Sequence, residues 1–354
     1  MTNLDDPEVY RKFDPSDMLG RISELPKQCR EAWESAMSFP LPPDYAGVEK
    51  VIILGMGGSA IGGDLVRTLA LTQGRLPVLV HRDYGLPSLV DMRTLVIASS
   101  YSGNTEETIS SFNKALETTA KKVVITTGGK LKTLAEENGV PLFTFHYKAE
   151  PRAAFGYSFF SILGIFHRLG LISIESRHKD EAIRVLEDLS VRLGHDVPVE
   201  TNPAKQLANK LSGRLIIVYG AGILSEVAFR WKTQFNETSK SCAFSECMPE
   251  LNHNAVVGYR LPSWLAERAF VVMLRSPSLH PRILMRYQVT GEILTDAGIA
   301  HEVIEAQGKS PLSQIVSAVL FGDFVSYYLA MLNEVDPSPV AAIDYLKERM
   351  KDSN

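Results

Sequence analysis

Short apolar runs that lack alternating polar positions recur along the chain after Lys50. Segments with helical periodicity, in which apolar residues return every three or four positions, fill the intervals. Apolar strands separated by helices are typical of a parallel sheet covered on both faces. In the first half, this pattern predicts strands at Val51–Leu54, Val78–Val80, Thr94–Ala98, Val123–Thr126 and Leu142–Phe145, and helices at Ala60–Leu71, Glu106–Thr118 and Leu131–Asn138.

The same succession returns in the second half. A strand, a glycine-containing turn and a helix through Trp231 come first, and the helix–glycine–strand order of Leu131–Phe145 is repeated at Ile293–Ile304. Two copies of one α/β unit predict two doubly wound parallel-sheet domains covered by helices. The predicted elements are strands at Leu215–Val218, Phe270–Leu274 and Ile299–Ile304, and helices at Gln288–Ala297, Leu312–Asn333 and Val340–Lys351.

Breaks in this pattern indicate the domain organisation. The polar N-terminal segment is helical, and Asp14–Asp17 is the predicted start of a helix that continues through Arg30. The predicted linker between the two α/β domains is His195–Val199. The helical segment, the first domain and the second domain with its C-terminal helices are assigned to residues 1–45, 46–194 and 195–354.

Composition narrows the classes of function. The net charge of the 354 residues is -4, so the charge balance gives no support for nucleic acid or an anionic membrane as a partner. The apolar runs are too short to span a bilayer, and the acidic N-terminus has no signal-peptide pattern. Three cysteines are too few for a disulfide scaffold and indicate a reducing, cytoplasmic setting.

Two of the cysteines raise the question of a metal site. Cys242 and Cys247 lie near His253, but the set lacks a recognisable zinc spacing and a second cysteine pair. We interpret them as structural or incidental thiols, and we expect neither a metal nor a cofactor.

A glycine-rich turn, Gly55–Gly62, follows the first predicted strand and opens a helix. It overlaps the dinucleotide-binding fingerprint, but that fingerprint expects an acidic residue at the end of the second strand, and Asp83 lies beyond it. The glycines, Gly57 and Gly58 among them, allow a small ligand to approach the backbone closely, with Ser59 facing it. A tight turn without ligand contact is the alternative.

A hydroxyl-rich turn follows the third predicted strand and contains Ser100, Ser102 and Thr105. These hydroxyls, together with the free N–H groups at the start of the next helix, can surround a phosphate without a nearby cation. Glu106 and Glu107 come next and disfavour a large polyanion. The residues alone leave two interpretations open, a small phosphate monoester or simple capping of the helix.

The segment Ala98–Thr108 resembles the signature turn of SIS domains, which bind and isomerise phosphosugars. The turn Gly55–Gly63 matches the same family at the expected earlier position. Two SIS copies in one chain resemble the phosphoglucose isomerase superfamily, and within it the bifunctional phosphoglucose/phosphomannose isomerases of archaea and some bacteria. The resemblance covers residues 46–335. It implies interconversion of glucose 6-phosphate and mannose 6-phosphate with fructose 6-phosphate through a cis-enediol.

The resemblance also implies the catalytic residues. Glu237, in an Asn-Glu segment, is the expected base, and Arg152 is expected to stabilise the enediolate and to hold the base in place. His253 is expected to assist ring opening from across the interface of a homodimer, and Lys309 is expected near the ring oxygen. The reaction implied is independent of metal.

Two alternatives differ in class. A non-catalytic SIS-domain sensor of sugar phosphates would be expected to carry a DNA-binding or partner domain, and the first 45 residues show no basic recognition helix. Another phosphosugar isomerase, linked to an amidotransferase, would need an N-terminal nucleophilic cysteine, and position 2 is a threonine.

Overall fold

The computed structural model describes residues 2–74 and 76–351, with only the backbone of Lys351. Its first sheet is entirely parallel and has the strand order β2–β1–β3–β4–β5. The strands are β1 (Lys50–Leu54), β2 (Val78–His81), β3 (Thr94–Ser100), β4 (Lys121–Thr126) and β5 (Leu142–Thr144).

The second sheet is also parallel, with the order β7–β6–β8–β9. Its strands are β6 (Leu215–Ala221), β7 (Ala243–Met248), β8 (Ala269–Arg275) and β9 (Ala300–Glu305). In each sheet, the first strand of the unit lies between the second strand and the third. The two halves therefore share one topology.

Helices surround both sheets. They are α1 (Pro7–Phe13), α2 (Met18–Ser23), α3 (Leu25–Ser38), α4 (Gly57–Gln73), α5 (Glu106–Leu116), α6 (Gly129–Glu137), α7 (Phe155–Arg168), α8 (Ser176–Arg192), α9 (Pro203–Leu211), α10 (Ser225–Glu237), α11 (Leu265–Arg268), α12 (Pro281–Asp296), α13 (Pro311–Leu332) and α14 (Ala341–Lys351).

The central strands of the first sheet are buried because both faces are covered. Val51 and Ile53 of β1 point into the layer that contains α4 and α7, whereas Ile52 and Leu54 point into the layer formed by α5 and α6. Side chains alternate across a strand, so a strand that is buried on both sides must be apolar throughout.

The helix α13 joins the two domains at the centre of the molecule. It packs against α8, α9 and α10 and belongs to the large core that also includes the N-terminal helices. Among the described residues, α13 alone is long and apolar enough to cross a membrane by composition, and 94% of its most apolar window is buried in protein.

The predicted α/β architecture is confirmed, with shifts of a few residues at the ends of elements. The helix predicted to run from Asp14–Asp17 through Arg30 is wrong in length. Asp17 caps α2 by accepting from the Gly20 amide, but α2 ends at Ser23 and a separate helix, α3, follows. The strand β7 and the helices α7, α8 and α9 are additional elements that the pattern did not predict.

Candidate active site

The candidate site begins where β1 and β3 end side by side. The chain leaves β1 through α4 toward one edge of the sheet and leaves β3 through α5 toward the other. A crevice opens at such a switch point, because the two connections diverge, and ligands of open α/β sheets bind there. Both turns predicted from the sequence lie at this crevice.

The turn after β3 holds its hydroxyls in a compact arrangement. Ser100 Oγ lies 2.9 Å from Thr105 Oγ1 and accepts from the Gly103 amide at 3.1 Å, while Ser102 is exposed and accepts from the Asn104 amide. In the described part of the chain, no side chain caps α5, whose N-cap residue is Thr105. The first amides of α5 therefore remain available to an anion.

Backbone contacts fix the shape of this turn. Gly103 has φ +66°, and a Cβ there would lie 1.8 Å from the carbonyl oxygen of Gly128, so this position needs glycine. The loop after β4 holds the other side of the turn, since the amide and the hydroxyl of Thr127 both donate to the carbonyl oxygen of Tyr101. The turn is thus organised before any ligand arrives.

The glycine-rich turn after β1 connects this pocket to the next part of the site. A Cβ on Gly58 would lie 2.9 Å from the Pro151 carbonyl oxygen and 3.2 Å from the Arg152 nitrogen, so the two backbones touch. Ser59 is buried, and its Oγ accepts from the Tyr101 amide at 3.0 Å. Ser59 therefore braces the hydroxyl-rich turn, and direct contact of Gly57, Gly58 or Ser59 with a ligand stays a prediction.

Arg152 and Glu237 come together at the other side of Gly58. Arg152 lies in the turn before α7 and is 4% exposed, and Glu237 is the last residue of α10. Arg152 Nη1 lies 3.6 Å from Glu237 Oε2. The sequence-based expectation placed these two residues in one site, and the structure brings them into contact.

The guanidinium of Arg152 is oriented by the segment that precedes α14. Its Nη2 donates to the carbonyl oxygens of Pro337 at 2.6 Å and Ser338 at 2.7 Å. Burial lowers the pKa of Arg152, and the Glu237 carboxylate acts in the opposite direction. Within the described residues, three buried atoms in or next to these residues lack a hydrogen-bond partner: Arg152 Nε, Thr238 Oγ1 and Ser338 Oγ. Buried polar atoms without a partner are uncommon in folded proteins, so this cluster marks a candidate place for a polar ligand.

Lys240 is a site residue that the sequence analysis missed. It has φ +56°, and its ammonium donates to the carbonyl oxygens of Glu237, Pro337 and Pro339. Burial lowers the pKa of Lys240, and the neighbouring Arg152 charge adds to this effect. Nothing in the local pattern marks this lysine, because most of its partners are nearly 100 positions away.

His253 and Lys309 do not lie near Glu237 within one chain. Both are exposed; His253 follows the carboxyl end of β7, and Lys309 follows the carboxyl end of β9. Glu237 lies at the opposite edge of the second sheet, because α10 runs back from that carboxyl edge for about 20 Å. The roles expected for His253 and Lys309 stay predictions.

The side chains that commonly bind metals form no cluster in the described parts of the chain. No group of three or more His, Cys, Asp and Glu side chains there could hold a metal ion. Cys29 is buried and free, and Cys242 and Cys247 are exposed and free.

Comparisons with known proteins identify the family of the chain. The family model for the bacterial phospho-glucose isomerase C-terminal SIS domain matches residues 200–350. The chain is 42% identical to the bifunctional phosphoglucose/phosphomannose isomerase of Caldicellulosiruptor bescii over 334 residues, which cover 94% of this chain and 98% of that protein. It is also 32% identical to the D-glucosamine-6-phosphate 4-epimerase of Sulfolobus acidocaldarius, over 93% of this chain and 97% of that protein.

A solved structure supports the fold. The crystal structure of a hypothetical protein from Thermus thermophilus superposes with a TM-score of 0.74 and 17% identity, covering 98% of this chain and 92% of that one. Identity of 42% along nearly the whole chain goes further than the fold. Together with the matched SIS domain, it shows that the chain belongs to the family of bifunctional phosphoglucose/phosphomannose isomerases.

Proposed function

We propose that the protein interconverts glucose 6-phosphate and mannose 6-phosphate with fructose 6-phosphate through a cis-enediolate. The observation that carries this proposal is the continuity of the site. The hydroxyl-rich turn is braced by Ser59, and the adjoining Gly58 touches the backbone of Arg152, which contacts Glu237. A phosphate held at one end therefore places the other end of a hexose near a carboxylate and a guanidinium.

The phosphate is held without a cation in this proposal. The hydroxyls of Ser100, Ser102 and Thr105 and the amides at the start of α5 donate to its oxygens. Ser100 and Thr105 lie side by side and share a hydrogen bond at 2.9 Å in the free protein. In this proposal, the hydroxyl that donates in that bond turns to the phosphate when the substrate binds. Neutral donors suit a small monoester that must be released after each turnover.

Glu237 moves the proton. Its carboxylate removes the hydrogen on C2 of the open-chain aldose, the electron pair forms the C1–C2 double bond, and the negative charge develops on the C1 oxygen. Arg152 donates to the enediolate oxygens and lowers the energy of that charge. Glu237 then returns the proton to C1, and transfer of the hydroxyl proton between the two oxygens completes the ketose.

Ring opening is assigned to His253 of a second copy of the chain. Within one chain His253 lies at the far edge of the second sheet from Glu237. A neutral imidazole can pass a proton between the ring oxygen and the anomeric hydroxyl near pH 7. A homodimer that brings the partner subunit's His253 to Glu237 would complete the site. We propose further that the reaction needs no metal and takes place in the cytoplasm.

A coupled assay with each aldose phosphate tests the proposal. Replacing Glu237 with Gln should lower kcat by about 100- to 10,000-fold and leave competitive binding of fructose 6-phosphate nearly unchanged. Glu226→Gln is the matched control, because Glu226 is a carboxylate of the same helix that pairs with Arg67 instead. Retained turnover in the Glu237 variant would exclude it as the base.

Further outcomes separate the parts of the proposal. Turnover of D-glucosamine 6-phosphate but of neither aldose phosphate would refute the substrate assignment. Activity lost to a chelator and restored by a divalent metal would refute the metal-free reaction.

A mixture of Glu237→Gln and His253→Ala subunits tests the shared site. Mixed dimers retain one complete site, so about a quarter of the wild-type activity should return. No recovery would refute a site shared between Glu237 of one subunit and His253 of the other.

A further inference from the structure

A buried ionic network lies directly beneath the Arg152–Glu237 pair. Arg230 of α10 donates from Nη2 to Oδ2 of Asp323 in α13 at 2.7 Å, and Gln234 donates from Nε2 to Oδ1 of the same carboxylate at 3.0 Å. Arg230 is 2% exposed and Asp323 is 6% exposed. Charges are costly to bury, so such a pair is weak evidence of net stabilisation.

The network holds the face of α10 that carries the base. Arg230, Gln234 and Glu237 are spaced four and three residues apart, so they share one face of the helix. The Asp323 carboxylate binds the first two of them at once and thereby fixes the rotation of α10 about its axis. The direction in which Glu237 leaves the end of the helix depends on that rotation.

The same network also reaches Arg152. Arg230 Nη2 donates to the Arg152 carbonyl oxygen at 3.3 Å, and the Arg230 guanidinium lies over the ring of Phe155, 4.3 Å from its centroid. Arg230 therefore ties the turn that bears Arg152 to the helix that bears Glu237. One carboxylate, Asp323, anchors this connection from α13.

The charges of the region are balanced in two pairs. Arg152 pairs with Glu237, and Arg230 pairs with Asp323. Without the Asp323 charge, the buried Arg230 cation would act on Glu237 and favour its ionised form, which makes it a weaker base. Charged groups from other elements that face the first pair are Arg21, Glu150, Lys240 and Asp336.

Substrate has no access to Asp323. The cavity beside it, lined by Arg152, Gln234 and Asp323 among others, has a volume of about 10 Å³, which is the space of one water molecule. We propose that Asp323 is a positioning residue for the isomerisation: it sets the geometry and the charge of the Arg152–Glu237 pair through Arg230 and Gln234. This inference rests on the proposed function.

The test is Asp323→Asn in the full-length chain, which preserves size and removes charge. We expect kcat to fall by about 10- to 100-fold with KM changed less than about threefold, because the reacting groups are misplaced while the phosphate turn is intact. The acid limb of the pH profile of kcat should move to lower pH. Ser326→Ala is the control, since Ser326 is a buried residue of α13 whose hydroxyl donates to the Asp323 carbonyl oxygen and not to its carboxylate.

A purely structural role gives a different result. It would lower the melting temperature of the Asp323 variant and leave kcat and the acid limb as in the wild type, which would overturn the inference. A wild-type enzyme that turns over neither aldose phosphate would instead refute the proposed function.

A second variant keeps the test decisive if Asp323→Asn does not fold. The double change Arg230→Met with Asp323→Leu removes both charges together and fills the space with apolar groups. Because the net charge is unchanged, its acid limb should stay at the wild-type position while kcat falls by about tenfold or more. Wild-type kcat in the folded double variant would overturn the inference.

Discussion

The two sheets of this molecule reverse their strand order at equivalent points. The side chains at these two switch points differ. In the first domain, the crevice between β1 and β3 is lined by hydroxyls, and none of the described side chains caps α5. In the second domain, Leu279 Cδ2 lies 2.8 Å from where a Cβ on Gly222 would stand, and His280 caps α12 by accepting from the Arg282 amide. One crevice is open, and the other is filled by its own chain.

The second turn also satisfies its own hydroxyls. Ser276 and Ser278 both donate to Gln314 Oε1, at 2.6 and 3.1 Å, so neither is left for a ligand. At the first switch point, Ser100 and Thr105 use only one of their two hydroxyl hydrogens on each other, and the first amides of α5 have no side-chain acceptor among the described residues. The comparison teaches that the repeat supplies the shape twice, whereas the pairing of side chains differs between the two turns. We propose the phosphate pocket at the first of them for this reason.

The largest expected effect comes from filling the open crevice with a charge. Thr105→Asp should cap α5 with a carboxylate, as His280 caps α12 with a ring nitrogen. Like charges about 4 Å apart repel by about 4 kcal/mol at a surface dielectric, so KM for the sugar phosphate should rise by about 1,000-fold. Steady-state kinetics measures this. Thr105→Ser should retain activity, and a normal KM in the aspartate variant would mean that the phosphate binds elsewhere.

A smaller effect is expected when Ser100 of the first turn is compared with Ser276, the equivalent serine of the second turn. Ser100→Ala removes a donor worth about 1.5 to 3 kcal/mol to a charged ligand, which predicts a 10- to 100-fold loss in kcat/KM. Ser276→Ala is the counterpart, since Ser276 Oγ accepts from the Ser278 amide as Ser100 Oγ accepts from Gly103. It should change kcat/KM less than about twofold. Equal losses in both variants would contradict the assignment of a single pocket.

The smallest effect is expected at the start of α13, where a carboxylate of the protein itself binds the free amides. Glu181 accepts from the amides of Lys309 and Ser310 at the beginning of α13. Burial opposes its charge, but these amides and the neighbouring hydroxyls outweigh burial and lower the pKa of Glu181 to about 2. The stabilisation is therefore complete above about pH 4.5 and is lost as the pH falls toward 2.

Denaturant unfolding at two pH values tests this assignment. Glu181→Gln should lower the free energy of unfolding by about 1 kcal/mol at pH 7, since solvent screens a partly exposed group. Near pH 2, where about half of the wild-type carboxylate is protonated in the folded protein, the difference between the two proteins should shrink. A constant difference across this range would mean that the charge of Glu181 contributes nothing.

Much of the fold follows from the sequence because the buried strands are apolar on both faces. The strand β7 was missed for the opposite reason: it is an edge strand in which Phe244, Glu246 and Cys247 are exposed, so no apolar run marks it. The hydroxyl-rich turn could be located because its three hydroxyls lie within six residues of each other, and its binding of phosphate stays a prediction. The helix N-terminus that completes it follows in the next residues.

The remainder of the site depends on contacts between distant positions. Arg152 and Glu237 were assigned through family resemblance, and no local pattern relates them. Asp323 meets Arg230 from 93 positions away, and it lies in the middle of an apolar helix, where composition alone indicates only a core. Such pairings are fixed by tertiary packing, which periodicity does not encode.

The attachment of Arg152 to the carbonyl oxygens of Pro337 and Ser338 has a consequence for synthesis. These acceptors lie 185 and 186 positions further along the chain. A ribosome completes the first sheet and its hydroxyl-rich turn long before it adds them, so that turn is made before the acceptors that orient Arg152. A chain that ends before residue 337 would therefore contain every residue of the hydroxyl-rich turn and lack both carbonyl acceptors of the Arg152 guanidinium.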